Sequence, residues 1–298
     1  MWAIPDGACA GNRAMTLAEL YRKARQMLHD AGVDAPDLDA RLLLETFVGA
    51  THADLIARPD ALIDADRRQA FESAVARRLA GEPVHRILGF REFYGMKLQL
   101  SAGTLEPRPD TETLIDVILS ELKVRASDAE NLSILDLGTG TGAIALALLK
   151  ALPRATAVGV DISDDALTTA ARNALDNGLE ERFEARRSDW FSSVAEKFHV
   201  IASNPPYIPS TTIASLSKEV KAHDPLAALD GGSDGLDPYR VIAAEAAGKL
   251  HHDGFVAVEI GHDQRDQVVD LFERQRFRLD KTGFDMLGHA RALVFSIS

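Results

Sequence analysis

Asn204-Pro205-Pro206-Tyr207 places an amide, two rigid carbonyls and an aromatic face on consecutive residues. The Asn204 side chain offers one acceptor group and two donors. Two prolines in succession hold the backbone extended and leave carbonyl oxygens that no local N–H claims. Tyr207 adds a flat surface. Such a cup suits a planar group bearing N–H2, with acceptors for its protons and a ring for its plane. Asn-Pro is also a common turn pair. Taken alone, the four residues are equally well a strand-ending turn.

A second cluster is Gly138-Thr139-Gly140-Thr141-Gly142, preceded by Asp136 and followed by Asp161 and by Asp189-Trp190. Glycines between a strand and a helix let a ligand approach the backbone at a helix N-terminus. An acid at the end of the next strand, Asp161, can accept both hydroxyls of a ribose. Asp189 and Trp190 could hold an adenine by its amino group and its face. The same glycines followed by Ala143 fit the dinucleotide pattern G-x-G-x-x-A, with an acid about twenty residues on. By glycines and acid alone, a dehydrogenase stands level with a user of S-adenosylmethionine. Asp136 tilts the balance, because a carboxylate before the first glycine suits a ligand with a positive amino group and repels a pyrophosphate. The Asn-Pro-Pro-Tyr cup decides it, since a planar N–H2 group held there would face a methyl donor.

The elements that must position these residues are legible as alternating strands and helices. Ser133–Leu137, Thr156–Val160, Phe183–Arg187 and Phe198–Ala202 read as strands. Ala143–Leu149 is helical, and Ser163 caps a helix that stops at Asn177-Gly178. In a doubly wound order the fourth of these strands lies beside the first, next to the glycine turn. Beyond the cup, 208–224 is mixed and polar and reads as a flexible lid. Pro238–Leu250 reads as a helix, Phe255–Glu259 as a strand and Gln264–Gln275 as a helix. Short strands near Phe277 and over Ala292–Ile297 suit an antiparallel close to a parallel sheet. Glu259 and His262 are expected to serve a strand-end loop, and His251-His252 an exposed helix end. There is no metal-binding spacing of histidines or cysteines.

The first third has a different period. Residues 1–14 carry little pattern and are expected to be a loose tail. Thr16 and Glu19 make a capping box, and helical spacing then runs to Gly32. Further helices are expected from Pro36 to Gly49 with Leu38, Leu42 and Leu43 inward, from Thr51 to Ala57, and from Asp64 to Leu79. These make a small bundle. Arg77-Arg78 reads as a solvated charge pair. From Arg86 to Leu100 the period changes to two, with a turn at Gly95, which predicts a β-hairpin. Asp110 or Thr111 can cap the helix that follows. Arg108, between two prolines, would aim its guanidinium at a fixed place.

The 298 residues leave room for two domains. A net charge of −12 opposes binding to phosphate backbones. The single Cys9 excludes an intrachain disulfide. The N-terminus lacks a signal-peptide pattern. The longest apolar run, Gly142–Leu149, falls far below the roughly 18 residues of a membrane helix. A cytoplasmic protein without membrane or direct nucleic-acid partners is expected.

These motifs together resemble the HemK/PrmC family, glutamine methyltransferases acting on peptide chain release factors. The resemblance covers nearly the whole chain. It includes Pro107-Arg108-Pro109-Asp110-Thr111-Glu112, the glycine turn, Asn204–Tyr207, Ala227–Gly232 with Asp234-Gly235-Leu236, and Asp285–Arg291. The departure is His223-Asp224-Pro225, where the family commonly has an aromatic and Glu before the proline. The resemblance implies a Rossmann-like α/β methyltransferase with a mostly parallel seven-stranded sheet and an antiparallel last strand. It implies a helical substrate-docking domain over 1–85, a hairpin linker over 86–105 and the methyltransferase domain over 106–298. It implies cofactor contacts from Gly138, Thr139, Gly140, Thr141, Gly142, Asp161, Trp190 and Asn204. Substrate contacts would come from Asn204, Pro205, Pro206 and Tyr207, with Asn204, Pro205 and Tyr207 closest to the chemistry. The implied cofactor is S-adenosyl-L-methionine, the partner a class 1 release factor, and the enzyme a monomer. Rivals are a ribosomal-protein glutamine methyltransferase, a nucleic-acid amino-methyltransferase and a nicotinamide-dependent dehydrogenase.

Overall fold

The period-3.6 stretches of the first third form helices whose starts are set by side chains. A computed structural model describes residues 15–125, 131–216 and 218–298, so the expected tail and Cys9 lie outside the described residues. The chain divides into two compact units between Gly89 and Phe90. The first contains α1 (Leu17–Asp30), α2 (Pro36–Phe47), α3 (His52–Ala57), α4 (Ala65–Leu79) and α5 (Val84–Leu88). The Thr16 hydroxyl accepts from Glu19 N at 3.3 Å while Glu19 Oε2 accepts from Thr16 N at 3.0 Å, the reciprocal bonds expected of a capping box. Asp64 caps α4 through Arg67 N at 2.9 Å.

Three expectations for this unit are corrected. Leu38 is 44% exposed, because the buried stripe of α2 runs through Ala40, Leu43 and Leu44; of the residues read as inward, Leu43 is buried and Leu42 packs half-buried against the core. Arg77-Arg78 is not a solvated pair. Consecutive helical residues diverge by about 100°, so Arg77 donates to Glu82 at 2.7 Å while Arg78 turns inward to Asp39 at 2.6 Å. Residues 84–88 are helical where the hairpin was expected to begin. Val84 and Ile87 face the core three residues apart, and Gly89 ends the helix at φ +78°.

The second unit opens with the hairpin β1 (Phe90–Phe93) and β2 (Met96–Gln99) and the helix α6 (Thr111–Val124). Then come β3 (Ser133–Leu137), α7 (Ala143–Ala151), β4 (Thr156–Asp161), α8 (Asp164–Asp176), β5 (Phe183–Arg187) and β6 (Phe198–Ser203). The short helices α9 (Ser210–Ile213) and α10 (Lys218–His223) occupy the expected lid. α11 (Asp237–Glu245), β7 (Leu250–Glu259), α12 (Arg265–Arg274), β8 (Phe277–Phe284) and β9 (Ala290–Ile297) complete it. The seven-stranded sheet has the order β5-β4-β3-β6-β7-β9-β8, with β9 antiparallel to both neighbours and the pairs from β5 to β7 parallel. Parallel strands covered on both faces should be continuously apolar. Ile134, Leu135, Val200 and Ile201 are all fully buried. The hairpin, α6, α7 and α8 pack on one face, and α11 and α12 on the other.

The helix expected over Pro238–Leu250 ends at Glu245, and a 3-10 turn, Ala246–Lys249, follows. β7 starts at Leu250, not Phe255. Leu250 pairs with Phe198 and Phe255 with Val200, so the polar His251–Gly254 is looped out within the strand. His251 thus falls within the span of β7, its ring 4.3 Å from that of His199, and not at a helix end, while His252 is exposed as expected. β8 and β9 are also longer than expected, at eight residues each.

Candidate active site

The sheet order reverses at β3, which has β4 on one side and β6 on the other. Carboxyl ends of strands at such a point diverge and open a crevice. A cavity of about 390 Å³ lies there, within the range of small-molecule sites. Its wall brings together Gly138, Thr139, Gly140 and Thr141 after β3, Asp161 at the end of β4, Trp190 after β5, and Asn204 and Pro206 after β6. Residues distant in sequence thus meet because each follows a neighbouring strand.

The remaining expected residues lie off that wall. Gly142 is the N-cap of α7, at φ +81°. Pro205 is buried. Tyr207 packs against the core on the α11 side, and its carbonyl accepts from Gln264 Nε2 at 2.9 Å. Burial raises the Tyr207 phenol to about 12.

The glycine turn is shaped for a guest. A Cβ on Gly138 would meet nothing within 4 Å, and one on Gly140 would meet only the Gly138 carbonyl at 4.0 Å. Both have positive φ, which glycine adopts without strain. Asp161 is oriented by two backbone donors, Gly140 N at 3.0 Å and Ser163 N at 2.9 Å. Trp190 sits at φ +47°, unusual for a bulky residue. Ser188 secures it, its hydroxyl donating to the Trp190 carbonyl at 2.8 Å and accepting from Ser193 N at 3.0 Å. Volume, braced carboxylate, aromatic side chain and open glycine turn fit an adenosyl group bearing an amino acid.

Asp136 departs from expectation. It is 0% exposed and is not part of the cavity wall. Its Oδ2 accepts from the Thr139 hydroxyl at 2.7 Å and from Ala145 N at 3.3 Å, so it braces the turn from beneath. Its Oδ1 has no hydrogen-bond partner among the described residues. Burial pushes its carboxyl up to about 7. A raised folded value means that the stabilising contribution is complete below the unfolded pKa of about 4 and is lost as pH rises through about 7. Asp136→Asn should therefore show a smaller loss of unfolding free energy between about pH 5 and about pH 8 than the parent. Urea titrations at the two pH values check this; equal losses in both proteins would contradict it.

Other residues on or beside the wall were missed or misread. Asp110 precedes α6 with helical dihedrals and makes no side-chain cap, because capping requires an extended N-cap. Its carboxylate pairs instead with Arg291 at 3.1 Å. Thr111 accepts from Asn204 Nδ2 at 3.1 Å. Arg108 donates to Asp224 Oδ2 at 2.8 Å, joining the proline-flanked stretch to the end of α10. Arg91 pairs with the buried Glu106, which also lines the cavity. Glu259 is buried against Asn204 and Thr111 and is no loop residue. The apolar run of β7 concealed it, since a terminal acid there reads as the point where a strand meets solvent.

Residues 19–89 match the PrmC N-terminal domain and residues 110–220 the methyltransferase small domain. A release factor glutamine methyltransferase of Agrobacterium fabrum is 50% identical over 285 residues, 96% of this chain and 98% of the relative. One of Rhodospirillum rubrum is 45% identical, over 96% of this chain and 86% of the relative. The chain belongs to the release factor glutamine methyltransferase family. A methyltransferase from Pyrococcus furiosus shares the fold at TM-score 0.52 and 17% identity, over 75% of this chain and 98% of that one. The chain is thus an S-adenosylmethionine-dependent methyltransferase, and the dehydrogenase reading of the glycine turn falls.

Proposed function

We propose that this enzyme methylates the side-chain amide nitrogen of the glutamine in the Gly-Gly-Gln motif of class 1 release factors. The supporting observation is Asn204: a cavity-wall amide whose nitrogen is tied to Thr111, at the end of the strand beside the glycine turn. Bound S-adenosyl-L-methionine supplies a methyl carbon made electrophilic by its sulfonium, whose carbon–sulfur bond breaks with the electron pair passing to sulfur. Asp161 would accept from the ribose hydroxyls, Trp190 would contact the adenine, and Gly138–Thr141 would cradle the methionine portion.

A carboxamide nitrogen is a poor nucleophile, because its lone pair is shared with the carbonyl. The Asn204 Oδ1 and the Pro205 carbonyl would accept its two N–H bonds and localise that pair. Pro206 would hold the wall rigid, and Tyr207 would stack on the amide plane. Positioning of this kind is worth about 7–11 kcal/mol at best. The contacts strengthen as positive charge develops on nitrogen, so they favour the transition state. The methylated nitrogen is acidic and releases its proton to solvent without a strong base. The helical unit would dock the body of the release factor, away from the motif.

The test is transfer of label from the methyl donor to a release factor bearing Gly-Gly-Gln, to the same factor with Gln changed to Ala, and to a short Gly-Gly-Gln peptide. Label is expected on the first, none on the second, and a higher KM for the third. Equal labelling of the first two would refute the assignment of the acceptor. Labelling of a ribosomal protein in preference to the release factor would move it to the related substrate.

A further inference from the structure

Glu259 ends β7 and is 2% exposed. β7 lies parallel to β6 with Val258 opposite Ser203, so Glu259 and Asn204 leave the sheet side by side. The Thr111 hydroxyl and the Asn204 side chain both face the Glu259 carboxylate, whose Oε2 has no hydrogen-bond partner among the described residues. Asn204 Nδ2 also donates to Thr111 Oγ1. The Glu259 backbone is held independently, since its carbonyl accepts from the buried Tyr239 hydroxyl at 2.8 Å.

Donor counting sets which way the groups around Glu259 can turn. An ionised carboxylate only accepts. Thr111, whose oxygen already accepts from Asn204, can therefore turn only its hydroxyl proton toward that carboxylate. Asn204 must then face both partners with its nitrogen. Its Oδ1 is left for the cavity. We propose that Glu259 is a positioning residue for methyl transfer, fixing which way round the Asn204 amide stands so that an acceptor, and not a donor, meets the substrate's N–H2. The inference rests on the reading that Asn204 receives the substrate amide.

A neutral group at 259 loses this control. A protonated Glu or a Gln can donate to Asn204 Oδ1, and the amide can turn over. Substrate N–H2 would then meet Asn204 N–H2, two donors without an acceptor. The groups facing Glu259 are Asp110 before α6, Arg291 on β9, and the phenols of Tyr207 after β6 and Tyr239 on α11. Burial is the largest influence and raises its carboxyl to about 7, with Asp110 adding to it and Thr111, Arg291 and Asn204 opposing. The competent ionised form thus grows as pH rises through about 7.

The experiment compares the full-length enzyme with Glu259→Gln and Glu259→Asp, using a release factor as acceptor across about pH 5.5 to 8.5. Glu259→Gln is expected to lower kcat about tenfold to a hundredfold, with KM for S-adenosylmethionine within about twofold. The acid limb of the parent's kcat profile should vanish in this variant. Glu259→Asp should recover part of kcat and keep an acid limb. A Gln variant with parental kcat and acid limb would overturn the proposal. So would equal loss in both variants with unaltered profile shape, or loss of cofactor binding in step with kcat. If the parent enzyme itself fails to methylate the release factor, the assignment of the acceptor has failed and the role given to Glu259 falls with it.

Discussion

Asn204→Ala lowers kcat about a hundredfold or more, and leaves the affinity for S-adenosylmethionine within about threefold. The side chain stands where β6 leaves the sheet, with its nitrogen committed to Thr111 at 3.1 Å. Removing it deletes an acceptor that strengthens only as charge develops on the attacking nitrogen. Ground-state binding of the donor is assigned by the proposed function to the glycine turn, Asp161 and Trp190, elsewhere on the cavity wall. Single-turnover kinetics with calorimetry of cofactor binding separate the two effects. Asn204→Asp sharpens the test, because it keeps an oxygen toward the cavity but sets a second acidic group against the buried Glu259. It should be impaired too. An alanine variant with undiminished kcat would remove Asn204 from the chemistry.

Asp161→Ala produces the opposite pattern, an affinity for S-adenosylmethionine weaker by at least about a hundredfold, since hydrogen bonds to a charged group contribute about 1.5–3 kcal/mol each. The Asp161 carboxylate is aimed by Gly140 N and Ser163 N, so its remaining lone pairs face the cavity in a set direction. The ribose would donate both hydroxyls to it. Asp161→Asn should fall between parent and alanine variant, because it keeps one acceptor oxygen and loses the charge. Saturating cofactor should restore most of kcat in Asp161→Ala, as it cannot in Asn204→Ala. Cofactor affinity within about threefold of the parent would show that the ribose is held elsewhere.

Local pattern located the main parts of this enzyme. The glycines after β3, the acid ending β4 and the prolines ending β6 each sit where a strand must stop, and strands stop for reasons carried by a few neighbouring residues. The alternating order then requires those ends to converge at one edge of a parallel sheet. Capping at Thr16 and Ser163 was legible for the same reason: a cap is a bond between residues three apart. The resemblance in Pro107–Glu112 and Asn204–Tyr207 carried the chemistry further than composition does.

Contacts between distant segments were not legible. Asp136 was expected to face a ligand, and only packing of the turn over α7 shows it to be a buried brace. Asp110 looked like a helix cap until its dihedrals and Arg291, 181 positions away in sequence (291 minus 110), gave it another partner. Arg78 looked solvated until Asp39 met it within the bundle. Glu259 looked like a strand end at the surface, yet the neighbouring strand and α6 bury it against Asn204. Residue type and spacing determined which strand ends carry the donors and acceptors. Tertiary structure decided which of those groups are desolvated, which bond each other and which remain for a ligand, because burial and hydrogen-bond direction depend on neighbours that sequence order does not bring together.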